Sequence, residues 1–337
     1  MPIISVDHLT DISLETFDRA GVEPEQAQLV TRLLIKANLA GHDSHGVVRI
    51  PSYISGIRSK QIRPNAPLQI ENQTATSAQI DGHHCFGQVV LTRAAELARQ
   101  KSLQAPLSLI TATNYSHCGQ LGAYAEQISS ADQIGIVIIG RSAGAVVPYG
   151  GRTGRLYQST LAISAPSNKP FPIVLDMATS VAPFGKILMK RTRNESCPDG
   201  WLIDPQGQPV TDPQVDLSNG EAGLLPLGGI TSGQKGSGLT FMLNLLAITL
   251  ANVEERVEGA LIIAINPAFF LPLSDLKSAA DGLVDRLHQT PAIDGFNSVL
   301  VPGERSYQET ERRRQEGILV ENDTWNRLQE LAKGSVI

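Results

Sequence analysis

Apolar residues recur at helical spacing along the first forty positions of the chain. One such face runs through residues 6–19 and stops before Gly21, which suits the end of a helix. Pro24 favours the first turn of a second helix, whose apolar face continues up to Gly41. The pattern predicts two helices, followed by a polar junction.

The middle of the chain alternates between short apolar runs and helical patterns. Runs such as residues 134–139, next to helical segments, are typical of sheet strands that helices cover. The predicted strands cover residues 68–81, 105–113, 134–142, 159–166, 172–179 and 259–266, and the predicted helices cover residues 89–101, 117–132, 236–254 and 275–288.

The tail of the chain returns to helical patterns. A basic helical stretch and a strand-like Ile-Leu-Val run precede a final helix near residues 323–333. We therefore expect an α/β protein, in which residues 1–65 and 305–337 form a small helical unit from both termini. Residues 66–304 would form the central α/β domain.

Charge and cysteine usage narrow the class of protein. The net charge of −5 means that the chain has no excess of basic residues to attract nucleic acid or an anionic membrane, so neither partner is expected. Three scattered cysteines and the lack of a signal-peptide pattern predict a cytoplasmic protein with reduced thiols. The most apolar long stretch, residues 239–253, is interrupted by polar residues and is too short to span a membrane. The histidines and cysteines match no zinc-ligand spacing, so no metal site is expected.

The polar junction carries the densest set of reactive side chains. His45, Arg49 and Tyr53 are spaced four apart and would share one face of a helix, with Asp43 or the serine after it as the N-cap. Pro51 argues that this helix begins only near Arg49. Histidine exchanges protons near neutral pH, and arginine binds a carboxylate through two parallel hydrogen bonds. A capped surface helix with solvated side chains is the alternative.

A second histidine follows a predicted strand. His117 stands at the carboxyl end of that strand, where ligands bind in open α/β folds. Gly119 and Gly122 open the next helix and would let backbone N–H groups approach a phosphate or a ring. A purely structural histidine is the alternative.

Glycines also surround Lys235, ahead of a long predicted helix. This arrangement suggests a phosphate cradle at a helix N-terminus, and a flexible loop with a helix cap is the alternative. The segment is not a Walker A sequence. No GxGxxG follows a first strand either, so an ordinary Rossmann fingerprint is absent from the sequence.

Taken together, these segments resemble the type 2 malate/L-lactate dehydrogenase family, which includes ureidoglycolate and sulfolactate dehydrogenases, diketogulonate reductase and cyclic imino-acid reductases. The matching segments, in family order from about residue 30 to about residue 330, are GHDSHGVVRIPSYISGI, NYSHCGQLGAYA, VLDMATSVAPFGKI, LPLGG with QKGSGL, IAINPAFF and VPGE. The resemblance implies a non-Rossmann fold with a mixed central sheet that binds NAD or NADP. It also implies a homodimer, with the active site near the subunit boundary.

The resemblance also implies roles for individual residues. His45 and His117 match acid/base histidines of different relatives, so the proton carrier stays open between them. Ser44, Arg49 and Tyr53 match substrate-contacting positions. The residues expected to contact the cofactor are Gly119, Asp176, Met177, Ala178, Thr179, Ser180, Gln234, Lys235, Gly303 and Glu304.

The expected reaction transfers a hydride between nicotinamide and the alpha carbon of a small 2-hydroxy or 2-oxo acid of the malate/lactate type. Arg49 would hold the carboxylate while a histidine moves the hydroxyl proton. Two alternatives stay open. One is a reductase of cyclic imino acids such as pyrroline- or piperideine-2-carboxylate, against which Phe184 argues because those reductases carry histidine there. The other is a catalytically silent nucleotide-binding relative.

The chain departs from the family pattern in three segments. The common GTNP appears here as Tyr157-Gln158-Ser159-Thr160. Residues 230–233 are extra, and residues 251–260 replace a glycine-rich stretch. All three changes are expected near the cofactor or the subunit boundary.

Overall fold

One mixed sheet lies at the centre of the protein. A computed structural model describes residues 1–251 and 258–334, and within them the sheet has seven strands. In spatial order they are Gln69–Glu71 (β2), Ser77–Cys85 (β3), Leu107–Tyr115 (β4), Gly259–Ile265 (β11), Ile134–Gly140 (β5), Thr160–Ala165 (β6) and Ile173–Ala178 (β7). Strands β3 and β4 are parallel and the other neighbours are antiparallel. The predicted α/β class with a mixed sheet is confirmed.

Alternating side chains cover the two faces of this sheet. On β5, Val137 and Ile139 point into the main core, while Ile136 and Ile138 belong to a smaller cluster on the opposite face. This period of two is the geometry of a strand buried on both sides. The covering helices are Gly87–Lys101 (α4) and Gly122–Ser129 (α5) on the main-core face, and Gly229–Leu250 (α7) on the other.

Helices from both ends of the chain pack beside the main core. They are Val6–Arg19 (α1), Pro24–Leu39 (α2), Ile50–Arg58 (α3), Glu304–Glu316 (α9) and Asn322–Ala332 (α10), and the short strands Ile3–Ile4 (β1) and Ile318–Leu319 (β12) pair between them. One continuous cluster of buried side chains runs from these helices to the sheet. The predicted domain boundaries near residues 65 and 305 stay a prediction.

The remaining helices and strands belong to neither of these two groups. They are Phe184–Arg193 (α6), Leu273–His288 (α8) and a small sheet of Leu202–Ile203 (β8), Pro209–Val210 (β9) and Gly223–Leu224 (β10). No helix in the described part of the chain is long and apolar enough to cross a membrane.

The start of α7 differs from the prediction. The helix begins at Gly229 rather than at Gly236, with a kink at Ser232, so the extra residues 230–233 lie within it. The glycine-rich segment was predicted to precede the helix, but a Cβ on Gly236 would lie 2.1 Å from the Leu227 carbonyl oxygen, so this glycine serves close packing within it. The predicted end near residue 254 lies outside the described residues.

Candidate active site

A cavity of about 1490 Å³ opens between the polar junction, the end of β4 and β7. Its volume exceeds the roughly 300–1,000 Å³ typical of a pocket for one drug-sized ligand. The predicted site residues that line it are Ser44, His45, Arg49, His117, Gly119, Asp176, Met177, Ala178 and Ser180.

The polar junction is not one helix. Residues Asp43–His45 and Val47–Arg49 form two 3-10 turns, and α3 begins at Ile50. The expectation that His45, Arg49 and Tyr53 share one helix face is therefore wrong, whereas the expected start of the helix near Arg49 is confirmed.

The predicted N-cap is also wrong, because neither candidate side chain caps a helix. The Asp43 carboxylate accepts from Asn38 Nδ2 at 2.7 Å, and Ser44 Oγ lies 3.0 Å from His45 Nδ1. Asn38 Oδ1 in turn accepts the Val47 N–H at 2.8 Å, since Gly46 lets the chain pass directly over this amide. A Cβ at Gly46 would lie 2.1 Å from Asn38 Oδ1.

Long-range packing brings the two histidines together. The rings of His45 and His117 stack with centroids 5.7 Å apart. Tyr53 does not line the cavity itself, but its hydroxyl lies 2.8 Å from His117 Nδ1, and the Gly119 N–H donates to the same nitrogen at 3.3 Å. Gln88 Nε2 donates to the Tyr53 oxygen at 2.8 Å, which leaves the tyrosine hydrogen for His117. Since a backbone N–H only donates, Nδ1 of His117 is an acceptor and the neutral ring carries its proton on Nε2.

Both histidines are held neutral at pH 7. Burial, together with the charges of Arg49 and His42, lowers the pKa of His45 to about 4. Burial, with Arg49 and His45, also lowers the pKa of His117 well below its usual value. Arg49 Nε donates to the Ser44 carbonyl at 2.6 Å, which fixes the guanidinium, and its two terminal nitrogens have no hydrogen-bond partner among the described residues.

A second cavity of about 1100 Å³ adjoins the first. His42, Gln120, Asp176 and Arg305 line both, and Gly303 lines the second. Gln120 Oε1 is buried and has no hydrogen-bond partner within the described residues. An unpaired buried acceptor is costly, so a ligand that donates to it fits here. The hydroxyl and carboxamide groups of a nicotinamide dinucleotide are such donors.

Asp176 lies at the junction of the two cavities. Its Oδ2 accepts the Gly122 N–H at 2.7 Å. Burial raises the pKa of this carboxyl to about 6, although the Gly122 N–H favours the charged form.

Other predicted cofactor residues lie away from the first cavity. Lys235 and Gln234 are exposed within α7 and line neither cavity, so the lysine is not ahead of the helix as predicted. Thr179 is fully buried and donates to the Ser159 carbonyl at 3.0 Å. Glu304 accepts from the Val301 N–H at 3.2 Å and pairs with His288 at 2.9 Å. Their roles toward a cofactor stay predictions.

One wall of the first cavity is formed by residues that were not among the predicted site residues. The Tyr157 hydroxyl donates to Glu258 Oε2 at 2.9 Å, and Arg141 Nε lies 3.4 Å from the same oxygen. The Arg141 guanidinium also sits 5.5 Å from the centre of the Tyr157 ring. Tyr157 was singled out as a departure from GTNP. Arg141 lies near the carboxyl end of a predicted strand, and this position is the signal that would have found it. Of the departing segment 251–260, residues 252–257 lie outside the described part.

Known proteins resemble this chain in sequence and in fold over nearly its whole length. The sequence profile for malate/L-lactate dehydrogenases matches residues 4–329. The chain is 32% identical over 343 residues to a malate/(S)-sulfolactate dehydrogenase of Methanothermus fervidus, covering 98% of this chain and 97% of that protein. It is 29% identical over 330 residues to a Δ1-pyrroline-2-carboxylate/Δ1-piperideine-2-carboxylate reductase of Pseudomonas putida, covering 94% and 92%. The malate dehydrogenase structure from Entamoeba histolytica superposes with a TM-score of 0.94 at 27% identity, covering 100% and 99% of the two chains.

Proposed function

Because the chain belongs to the malate/L-lactate dehydrogenase family and is an oxidoreductase acting on CH–OH groups, we propose that it interconverts a small 2-hydroxy acid and its 2-oxo acid with NAD or NADP. The observation that carries this proposal is the convergence of Arg49, His45 and His117 on one cavity. A cation and two neutral imidazoles supply what the reaction needs from the protein, namely a carboxylate anchor and groups that hold and move a proton. The dinucleotide supplies the hydride chemistry.

Arg49 anchors the substrate carboxylate. Its Nε is held by the Ser44 carbonyl, so the two terminal nitrogens present a fixed fork to a carboxylate. A bound carboxylate also offsets the charge that lowers the pKa of both histidines. Substrate binding therefore makes it easier for a histidine to carry a proton.

The two histidines have different roles in the proposal. Nδ1 of His117 is occupied by donors, so Nε2–H is held as a hydrogen-bond donor toward the substrate oxygen. Among the residues that the structure describes, Nδ1 of His45 has only the Ser44 hydroxyl as a partner, and a hydroxyl can either donate or accept. The tautomer of His45 can therefore change as a proton moves. We assign proton transfer to His45 and orientation of the substrate oxygen to His117.

The dinucleotide extends across both cavities in this proposal. Gln120 Oε1 and the Asp176 carboxyl lie where the two cavities meet and accept hydrogen bonds from its hydroxyl or amide groups. Gly119, with a φ of +73°, brings the backbone close to the same place.

The cyclic imino-acid reductase is the second candidate, since such a reductase is among the relatives. The residue at the cavity wall that would distinguish the two is Phe184. Its side chain has no group to exchange a proton with an imine nitrogen. This favours the 2-oxo acid.

We also propose that the chain forms a homodimer through α7. The outer face of this helix is apolar, and a second copy of the chain is the simplest cover for it. The exposed side chains are Leu239, Phe241, Met242, Leu245, Leu246 and Leu250. Light scattering should give the dimer mass for the native protein and the monomer mass for Met242→Glu. A monomeric native protein would contradict the proposal.

Absorbance at 340 nm tests the reaction. Purified protein is mixed with NADH or NADPH and with oxaloacetate, pyruvate, sulfopyruvate or Δ1-piperideine-2-carboxylate. Turnover of a 2-oxo acid is expected. Turnover of the imine alone would support the second candidate, and the absence of both turnover and dinucleotide binding by calorimetry would overturn the oxidoreductase proposal for this chain.

A further inference from the structure

Arg313 on α9 reaches the segment that carries His45 and Arg49, although it is distant in sequence. We call residues 41–49 the histidine loop. Nη1 of Arg313 donates to Asp43 Oδ1 at 2.6 Å and to the Asn38 carbonyl at 2.7 Å, and Nη2 donates to Asp43 Oδ2 at 3.1 Å. The Arg313 side chain is only 12% exposed. This is a bidentate, partly buried ion pair, and bidentate geometry is the one in which arginine orients a carboxylate most specifically.

The histidine loop has little regular structure of its own to hold it. It consists of two 3-10 turns joined at Gly46, and such short turns make poorer hydrogen bonds than an α-helix. Asp43 ties the first turn to Arg313 and Asn38, and Asn38 ties the second turn at Val47. The segment between these anchors contains Ser44 and His45.

We infer that Arg313 is a positioning residue, which sets the placement of His45 and Arg49 through Asp43. The kinetic part of this inference rests on the proposed function, whereas the structural part does not. A displacement of about 1 Å in a reacting group can lower a rate by about 100-fold. Loss of the ion pair should therefore affect turnover although Arg313 does not line the first cavity.

The neighbouring arginine provides a matched control. Arg312 pairs with Glu309 and Glu316 on the outer surface of α9 and is 52% exposed. Arg313 also pairs with Glu309. Arg312→Gln and Arg313→Gln therefore remove the same charge and the ion pair of each arginine with Glu309, but only the second removes the ion pair with the histidine loop.

The test compares these two variants by hydrogen–deuterium exchange and by steady-state kinetics. Arg313→Gln should speed exchange about tenfold or more in peptides that cover the histidine loop. It should lower kcat/KM for the 2-oxo acid by about 10- to 100-fold. Arg312→Gln should do neither, and Arg313→Lys should recover part of the rate because it keeps the charge without the fork.

Equal loop exchange and equal kinetics in the two glutamine variants would overturn the inference. If Arg313→Gln fails to fold, Asp43→Asn weakens the same pair from the other side while Arg313 keeps Glu309, and the same comparison applies. If the native protein turns over no substrate, the proposed function fails, but loop exchange still decides whether Arg313 positions the loop.

Discussion

The Tyr53 hydroxyl lies 2.8 Å from Nδ1 of His117, on the side of the ring that faces the core. Tyr53 is itself buried and receives a hydrogen bond from Gln88, so the three side chains form a chain of donors that runs toward the imidazole. Its direction places the His117 proton on Nε2. Together with the Gly119 N–H, a tyrosine that does not line the cavity thus sets which ring nitrogen of His117 presents a proton to a ligand.

Tyr53→Phe should lower kcat by about 10- to 100-fold, because Nδ1 of His117 loses the nearer of its two partners and keeps only the Gly119 N–H at 3.3 Å to hold the ring. KM for the 2-oxo acid should change little, since Arg49 is untouched. The free energy of unfolding should fall by about 1 to 3 kcal/mol, because Gln88 Nε2 is left without its acceptor. Steady-state kinetics and urea titration measure the two effects. An unchanged kcat would remove Tyr53 from the proposed mechanism.

Arg49→Lys should cost about 2–4 kcal/mol of transition-state binding for carboxylate substrates, since an ammonium does not replace a two-pronged guanidinium. The comparison of kcat/KM for pyruvate and for its neutral amide gives a matched control. The penalty should be large for the acid and small for the amide. Equal penalties for both compounds would show that Arg49 does not bind the carboxylate.

The pH dependence should differ between the two directions of the reaction. His45, with a pKa of about 4, is neutral at pH 7, and oxidation of the 2-hydroxy acid needs the neutral form. The kcat/KM of oxidation should therefore stay level as the pH falls and should drop only near pH 4. Reduction needs the protonated form, so its kcat/KM should rise about tenfold for each unit of pH lost, until the pH reaches about 4.

Circular dichroism over the same range serves as the control that the protein stays folded. Arg49→Gln should move both curves to higher pH, because it removes a charge that lowers the pKa of His45. A break of the native curve near 6.5, the ordinary value for histidine, would contradict the assignment of His45.

Gln120→Ala should weaken dinucleotide binding about tenfold without weakening the fold. The variant removes a buried acceptor that has no partner in the described structure, so the melting temperature should stay level or rise. Calorimetry with NADH and thermal unfolding measure the two quantities. The exposed Gln208→Ala is the control. If affinity is unchanged, Gln120 does not contact the dinucleotide.

The sequence predicts helices best where one apolar face is interrupted by clear end signals. Residues 6–19 were predicted and form α1, which Ser5 caps at its start. The start of α7 was missed because four glycines lie within its first three turns, and the close approach of the Leu227 backbone to Gly236 exists only in the folded chain. Local pattern and tertiary packing disagree at that helix.

Prediction of the candidate active site from local sequence has the same limit. His45, Arg49 and His117 stand out in the sequence because each side chain has an obvious chemistry. Gln88 and Arg313 do not stand out. Gln88 is one amide in a helix and Arg313 is one arginine among many charged residues. Only the fold brings Gln88 to Tyr53 and Arg313 to Asp43. Residues that orient other residues leave no local signal.

Two glycines of this chain would respond differently in a saturation library. Gly21 has a φ of +75° and open space around its Cα, so asparagine, which tolerates such angles, should survive there better than alanine. Gly46 has a φ of −92°, an ordinary value, yet lies against Asn38 with no room for a methyl group. Selection for growth on the enzyme's substrate should therefore retain only glycine at 46, unless a smaller residue replaces Asn38 in the same clone.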